Sequence, residues 1–431
     1  MQTITKTEPL KNKLISAFEP LKNSLYGNAK TRIQALSSFD KQGIPNRKSE
    51  EYKYVNVELI LKDNFGLQTS QTLTPEQVKS KKILENAIVV VLENGMFSKK
   101  LSAIESLPKG LTILDIQQAE NNAAFSASYA TLADIQSDAF IALNTALAQG
   151  GVFIQIADNA IIESPVHIIH VSSASSNTII NPRLFIHVGK NAQVNLVQSF
   201  ETVNSTAKIF NNTVTELAIG EQAIVNHYQI EDEGEHGYLL NTTQTHQKAN
   251  SVFSTHVFTL SGNFVRNNLN MVLDDERIES HLYGLYLTND HQVVDNHTLV
   301  DHRKPNCNSN ELYKGIIEDK SSATFNGKIF VRKDAQQTNA FQSNKNILLS
   351  DDGTINTKPQ LEIYANDVKC SHGTSTGKLD EDKIFYLRAR GLSETSAKKM
   401  LMHAFASEVV ETVKLEDLRN YIEEKISKRF E

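Results

Sequence analysis

At 431 residues with a formal net charge of −6, the chain has room for two or three domains, because single cores stop growing at roughly 250 to 300 residues. The acidic balance and the short, scattered basic runs such as Lys99-Lys100 argue against nucleic acid or an anionic membrane as partner, and two cysteines, Cys307 and Cys370, are too few for a disulfide framework. Residues 1–14 carry neither an apolar core nor an Arg-rich amphipathic pattern, and the longest apolar run, 87–92, is too short to span a bilayer, so a cytoplasmic protein is expected.

Residues 1–150 read as an N-terminal helical and mixed domain. A helix over 29–39 stops before the turn signal Gly43-Ile44-Pro45, and 88–92 and 111–116 have the composition of short strands. A second helix over 139–148 places Phe140, Leu143, Ala146 and Leu147 at helical spacing, with Gly150-Gly151 as its stop.

From 151 to 377 the texture changes to short β-branched and aromatic strands separated by Gly, Asn and Asp turns. Gly189, Ala192, Val194, Asn195 and Gln198 recur as Gly220, Ala223, Val225, Asn226 and Gln229, an offset of 31 residues. Weaker copies give anchors at 160, 192 and 223 and again at 292, 323 and 353, with about two periods and an insertion around 231–236 between the two sets. A fixed period in strand-like sequence indicates a parallel β-helix, since one coil cannot bury its apolar face alone. The general crossover rule makes it right-handed. A β-sandwich with coincidental turns is the competing architecture.

Residues 378–431 form a C-terminal helical domain. Asp380 caps a helix that runs to Arg390 and ends at Gly391, Ser393 opens a second to about 411, and a third covers 415–430. Leu415, Leu418, Tyr421, Ile422, Ile426 and Phe430 share one face of the third helix. That stripe either caps the solenoid end or is an exposed docking surface.

The chemistry-bearing motifs are few. Gly373 to Gly377 followed by Lys378 and Leu379 is one residue short of a phosphate-binding loop and has Leu where the magnesium-binding hydroxyl belongs. Neither a GxSxG elbow nor an HExxH helix occurs, so a non-catalytic chain is expected. In an extended segment Cys370 and His372 share a face with Ser371 opposite. As a nucleophile and base they lack a third group to orient the imidazole. As a thiolate and an imidazole they suit iron, but two ligands do not close a site. Either another chain supplies the rest, or the pair is a buried Cys beside a hydrogen-bonded His. Asp295, His297, Asp301, His302 and Cys307 also have metal-friendly side chains, but the spacing puts the two histidines on opposite faces, so solvated ladder residues are expected.

The series Leu285-Tyr286-Leu287, His302-Arg303-Lys304-Pro305, Tyr313-Lys314-Gly315, Ala335-Gln336-Gln337-Thr338-Asn339 and Phe385-Tyr386-Leu387-Arg388-Ala389-Arg390-Gly391 resembles the SufB/SufD family of iron–sulfur cluster assembly scaffolds. So does Glu50-Glu51-Tyr52-Lys53-Tyr54 after Gly43-Ile44-Pro45, with Tyr52 where Trp is usual. Asn344 stands where SufB carries a cysteine, and Ser371 and Gly373 flank His372 where SufB has acidic residues, which places the resemblance on the SufD side. It implies a right-handed parallel β-helix with helical domains at both ends, pairing with SufB along the helix end and docking the SufC ATPase through the C-terminal helices. It further implies a transient iron–sulfur cluster shared with SufB and not held tightly by this chain alone, with His372, and beside it Cys370, at the family's metal-facing positions. A homodimer is expected when the chain is isolated. The rival functions are a β-helix polysaccharide lyase or hydrolase and a homo-oligomeric iron-binding or structural solenoid.

Overall fold

In the computed structural model, which describes residues 7–22, 27–67, 73–203 and 205–430, the sequence repeat is one coil of a parallel solenoid. Residues 1–6, the head of the segment read for targeting signals, lie outside the described set. Val194 pairs with Val225, Asn195 with Asn226 and Gln198 with Gln229 in parallel register, so the 31-residue offset is one turn of chain. Each repeated position has a physical task. Ala192 and Ala223 are fully buried, and Asn226 Nδ2 donates to Asn195 Oδ1 at 2.9 Å. A Cβ on Gly220 would sit 2.7 Å from the carbonyl carbon of Gly189, so only glycine lets these corners stack.

The coils, about eight turns, form two long sheets. The first runs from Met96–Phe97 and Ile88–Glu93 through Ile161–Ser172, Gln193–Thr202, Ile224–Asp232, Val252–Ser261, Glu279–Thr288, Asn308–Ile317 and Thr338–Leu348 to Val368–Gly377. The second runs from Leu111–Asp115 and Gly151–Ile156 through Arg183–Val188, Ile209–Ile219, Gly237–Gln247, Phe264–Leu273, Val293–His302 and Ser322–Val331 to Thr354–Ile363. Alternate residues face inward, giving a core with Val194, Val225, Phe253, Leu282, Val265 and Val294.

The anchors 160, 192 and 223 precede strands of the first sheet, whereas 292 and 353 precede strands of the second and 323 is the second residue of one. The two sets are therefore half a coil out of phase, and the expected insertion is absent. Ile224 lies opposite Val252 and Val252 opposite Glu279, offsets of 28 and 27, so the coils shorten here. Residue 231 is inside a strand, and four residues, 233–236, connect it to the next, against six, 203–208, in the coil before. Both sheets use the same alternating pattern, which is why they read as one series.

The strands at 88–93 and 111–115 extend the solenoid sheets, the first in parallel with Ile161–Ser172 and the second antiparallel to Gly151–Ile156. Helix α1 (Ala29–Gln42) is capped by Asn28 Oδ1 and closed by Gly43 at φ 68°. Helix α2 (Ala139–Leu147) is buried on every face, not along one stripe, because α1 and the strand Ile209–Ile219 enclose it. Its one amide, Asn144, donates to the carbonyls of Pro182 and Asn212 at 2.8 Å each. The helix ends before Gly150-Gly151, with Ala148 already extended at ψ 118°. Gly151 serves the next strand instead: at φ 153°, a Cβ would lie 1.8 Å from the Arg183 carbonyl oxygen.

The C-terminal helices α3 (Glu381–Ala389), α4 (Glu394–Val410) and α5 (Glu416–Arg429) start at Asp380, Ser393 and Leu415, close to expectation. Their placement corrects it. Leu418, Ile422 and Ile426 of α5 are packed with Tyr228, Ile230, Phe258 and Leu285 on the outer face of the first sheet. The stripe neither caps the end nor remains exposed. The last strand of the first sheet, Val368–Gly377, is largely open. No helix among the described residues is long and apolar enough to cross a membrane.

Candidate functional site

The open end is where the Cys370 and His372 pair lies. Strand Val368–Gly377 pairs with Thr338–Leu348 so that Cys370 lies opposite Ala340 and His372 opposite Gln342. Ala340 and Gln342 are buried and Phe341 between them is exposed, so Cys370 and His372 share the inner face and Ser371 the outer, as the period of two requires. Their surroundings differ. Cys370 packs against the terminal apolar cluster with Ile329, Val331 and Ala340, and burial pushes its thiol pKa up. His372 is exposed on the rim.

Behind His372 lies a polar column. The register runs Leu282, Glu311, Gln342, His372 through four successive coils. Gln342 Nε2 donates to Glu311 Oε2 at 2.7 Å, and burial pushes the Glu311 carboxyl up to about 7. The opposite wall makes room: a Cβ on Gly327 would lie 2.2 Å from Gln342 Nε2. Sequence reading missed Glu311 and Gln342, although their separations, 31 and then 30 to His372, are the solenoid period and would have aligned them. Asn344 is buried, donating to Tyr286 Oη at 3.1 Å and to the Tyr313 carbonyl at 3.3 Å.

Among the described residues no three His, Cys, Asp or Glu side chains converge to hold a metal. The second candidate group is dispersed and is not solvated. His302 faces inward, buried, with Nε2 2.9 Å from Ser309 Oγ. His297 faces outward, as its spacing from His302 requires, but the N-terminal segment covers it. Its Nδ1 lies 3.2 Å from Glu51 Oε2 and its Nε2 2.9 Å from Asp295 Oδ1. Asp295 is buried, which pushes its carboxyl up, but the adjoining His297 and the ion-paired Arg266 together hold it below the ordinary range. Asp301 pairs with Arg303 and Arg332 at 2.9 Å each, and Cys307 is fully buried. Isolated strands expose one face to water; here a second layer of chain occupies it.

The segment from Gly373 to Gly377 continues the last strand, and Lys378 pairs with Asp351 at 2.6 Å, so it forms no phosphate-cradling turn at a helix start. The remaining conspicuous surface is on α3, the turn that follows it and the N-terminal half of α4. Phe385 is 73% and Tyr386 56% exposed, with Met400 at 55% and Leu392 at 37%.

Comparison with known proteins covers most of the chain. Residues 21–168 match the family described as SufBD protein N-terminal region, and 170–405 match that described as SUF system FeS cluster assembly, SufBD core domain. The chain is 30% identical over 401 residues to an iron–sulfur cluster assembly SufBD family protein of Synechocystis, covering 90% of this chain and 87% of the relative. It is 29% identical over 402 residues to the iron–sulfur cluster assembly protein SufD of Escherichia coli, covering 92% of each. To the chloroplastic protein ABCI7 of Arabidopsis thaliana it is 25% identical over 390 residues, covering 87% of this chain and 80% of that one.

Proposed function

The chain belongs to the SufBD family of iron–sulfur cluster assembly proteins, and from that premise we propose that it is a SufD-type scaffold subunit of a cytoplasmic complex with SufB and the ATPase SufC. The observation that carries this reading is His372, exposed at the open solenoid end beside Cys370, on a face where no third ligand converges among the described residues. A nascent cluster is cargo here. It needs ligands from both sides of an interface, and SufB supplies the others.

The terminal strands support the pairing. Val368–Gly377 is an unpartnered edge of the first sheet and Thr354–Ile363 of the second, and exposed edges template strand addition from another chain. In isolation the same edges pair two copies of this chain. Sulfur delivery falls to SufB, because no cysteine precedes Cys307, and Cys307 is buried with its thiol pushed upward by desolvation, the opposite of a reactive thiolate. The ATPase docks on the Phe385, Tyr386, Leu392 and Met400 patch, since the α5 stripe is used internally. A standard interface takes about 800 Å² per partner, and the patch is the apolar centre of such a surface.

Co-expression with SufB and SufC tests this. The expected result is a complex that accumulates iron and acid-labile sulfide with the parent chain and not with His372→Ala. Equal cluster content with both chains refutes the site.

A further inference from the structure

Resting on the reading of His372 as a cluster-facing residue, we propose that Gln342 positions the His372 imidazole by accepting its ring N–H, and that Glu311 holds the Gln342 amide in the orientation that allows it. The three residues occupy one inner column on successive coils: Glu311 lies opposite Gln342 and Gln342 opposite His372 in parallel register. Neighbouring strands are about 4.8 Å apart, within reach of a Gln and a His side chain.

The amide is already half committed. Its Nε2 donates to Glu311 Oε2 at 2.7 Å, which sets the flip of the group while Glu311 is ionised, because a carboxylate oxygen accepts from the NH₂ end and not from the carbonyl end. Gly327 bounds it on the opposite wall, where a Cβ would lie 2.2 Å from Nε2 and 2.8 Å from the amide carbon. That leaves Gln342 Oε1 buried on a residue 3% exposed, with no hydrogen-bond partner among the described residues. A buried carbonyl in that state calls for a donor. The inner side chain one coil further on, at the same register, is His372.

The consequence is chemical. A histidine that binds metal through one nitrogen commonly gives its other N–H to a carbonyl, which fixes tautomer and ring orientation and raises ligand basicity. In this arrangement Gln342 supplies that carbonyl from inside the solenoid and leaves the second ring nitrogen of His372 for the cargo presented at the rim. Glu311 acts through Gln342 and touches neither the ring nor the iron.

Two measurements test it. In the full-length chain labelled with [¹⁵N]histidine, long-range ¹H–¹⁵N correlations report the tautomer of His372, assigned by the signal missing in His372→Ala. One tautomer dominates in the parent chain, and Gln342→Met and Glu311→Met give a mixture of both. In complexes co-expressed with SufB and SufC, Gln342→Met lowers iron per complex roughly 10-fold or more, with no further loss when added to His372→Ala. An unchanged tautomer ratio in Gln342→Met, or losses that multiply in the double variant, overturns the inference. If His372→Ala loses iron and Gln342→Met does not, the positioning role alone fails. If His372→Ala keeps its iron, the site reading fails and this inference with it.

Discussion

The guanidinium carbon of Arg266 lies 4.0 Å from the centroid of the Tyr52 ring, so a cation buried on the second sheet is roofed by an aromatic side chain from the N-terminal region. The same guanidinium donates to the Glu51 carbonyl at 2.8 Å and pairs with Asp295. Tyr52 in turn donates its hydroxyl to Asp138 at 2.6 Å, and Asp138 caps α2 through the Phe140 amide. The contact welds the first third of the chain to the solenoid.

Tyr52→Phe keeps the ring over Arg266 and strips Asp138 of a donor, so it costs about 1 to 2 kcal/mol. Tyr52→Ala also opens a cavity and costs about 3 to 5 kcal/mol. Urea midpoints of the two variants check the ranking; equal losses would mean that the hydroxyl, and not the ring, carries the contact.

Glu231 faces inward, accepting from Thr259 Oγ1 at 2.6 Å and Asn267 Nδ2 at 3.1 Å, and burial pushes its carboxyl up to about 7. Its folded pKa is above the ordinary carboxylate value, so the stabilising contribution is complete below about 4.5 and lost as pH rises through about 7. Glu231→Gln keeps an acceptor and removes the titration. Relative to the parent, this variant should gain on the order of 2 to 3 kcal/mol between pH 4.5 and 7.5. Buried His227, held down to about 3 by desolvation, works the other way: its contribution is present above about 6.5 and lost as pH falls. It is common to both chains and cancels in the comparison. A pH-independent difference would show that Glu231 does not titrate in this range.

The α3 patch and the α5 stripe should separate cleanly under mutation. Phe385→Ser with Tyr386→Ser alters exposed side chains and should leave the melting temperature unchanged while abolishing co-purification with SufC. Ile422→Ala removes a fully buried side chain and should cost about 2 to 5 kcal/mol. Retained SufC binding by the double variant would put the dock elsewhere.

At the open end, His372→Ala should change stability by no more than about 0.5 kcal/mol, as an exposed substitution does, yet deplete the complex of iron and sulfide. Cys307→Ser, buried two coils inside the terminal strand, should leave iron per complex unchanged. Cys370→Ser, whose thiol is half-buried on the same face, should give a partial loss. A melting temperature that falls in step with cluster content in His372→Ala would make the residue structural.

Local rules carried far in this chain. The period of 31, the shared face of Cys370 and His372, and the helix starts at Asp380 and Ser393 all follow from alternation, stacking and capping, which depend on residues close in sequence or one repeat away. Other features depend on what lies across the fold, and there the tertiary structure decided. Nothing local distinguishes a strand of the first sheet from one of the second, so anchors half a coil apart read as one series. Nothing local tells Asp295 and His297 that Glu51 and Tyr52 will cover them, or Leu418 and Ile422 that their partners are Tyr228 and Phe258. An apolar or ionisable side chain carries a demand for burial or for a partner. Which surface meets that demand is set by chain hundreds of residues away, through packing that a one-dimensional pattern does not contain.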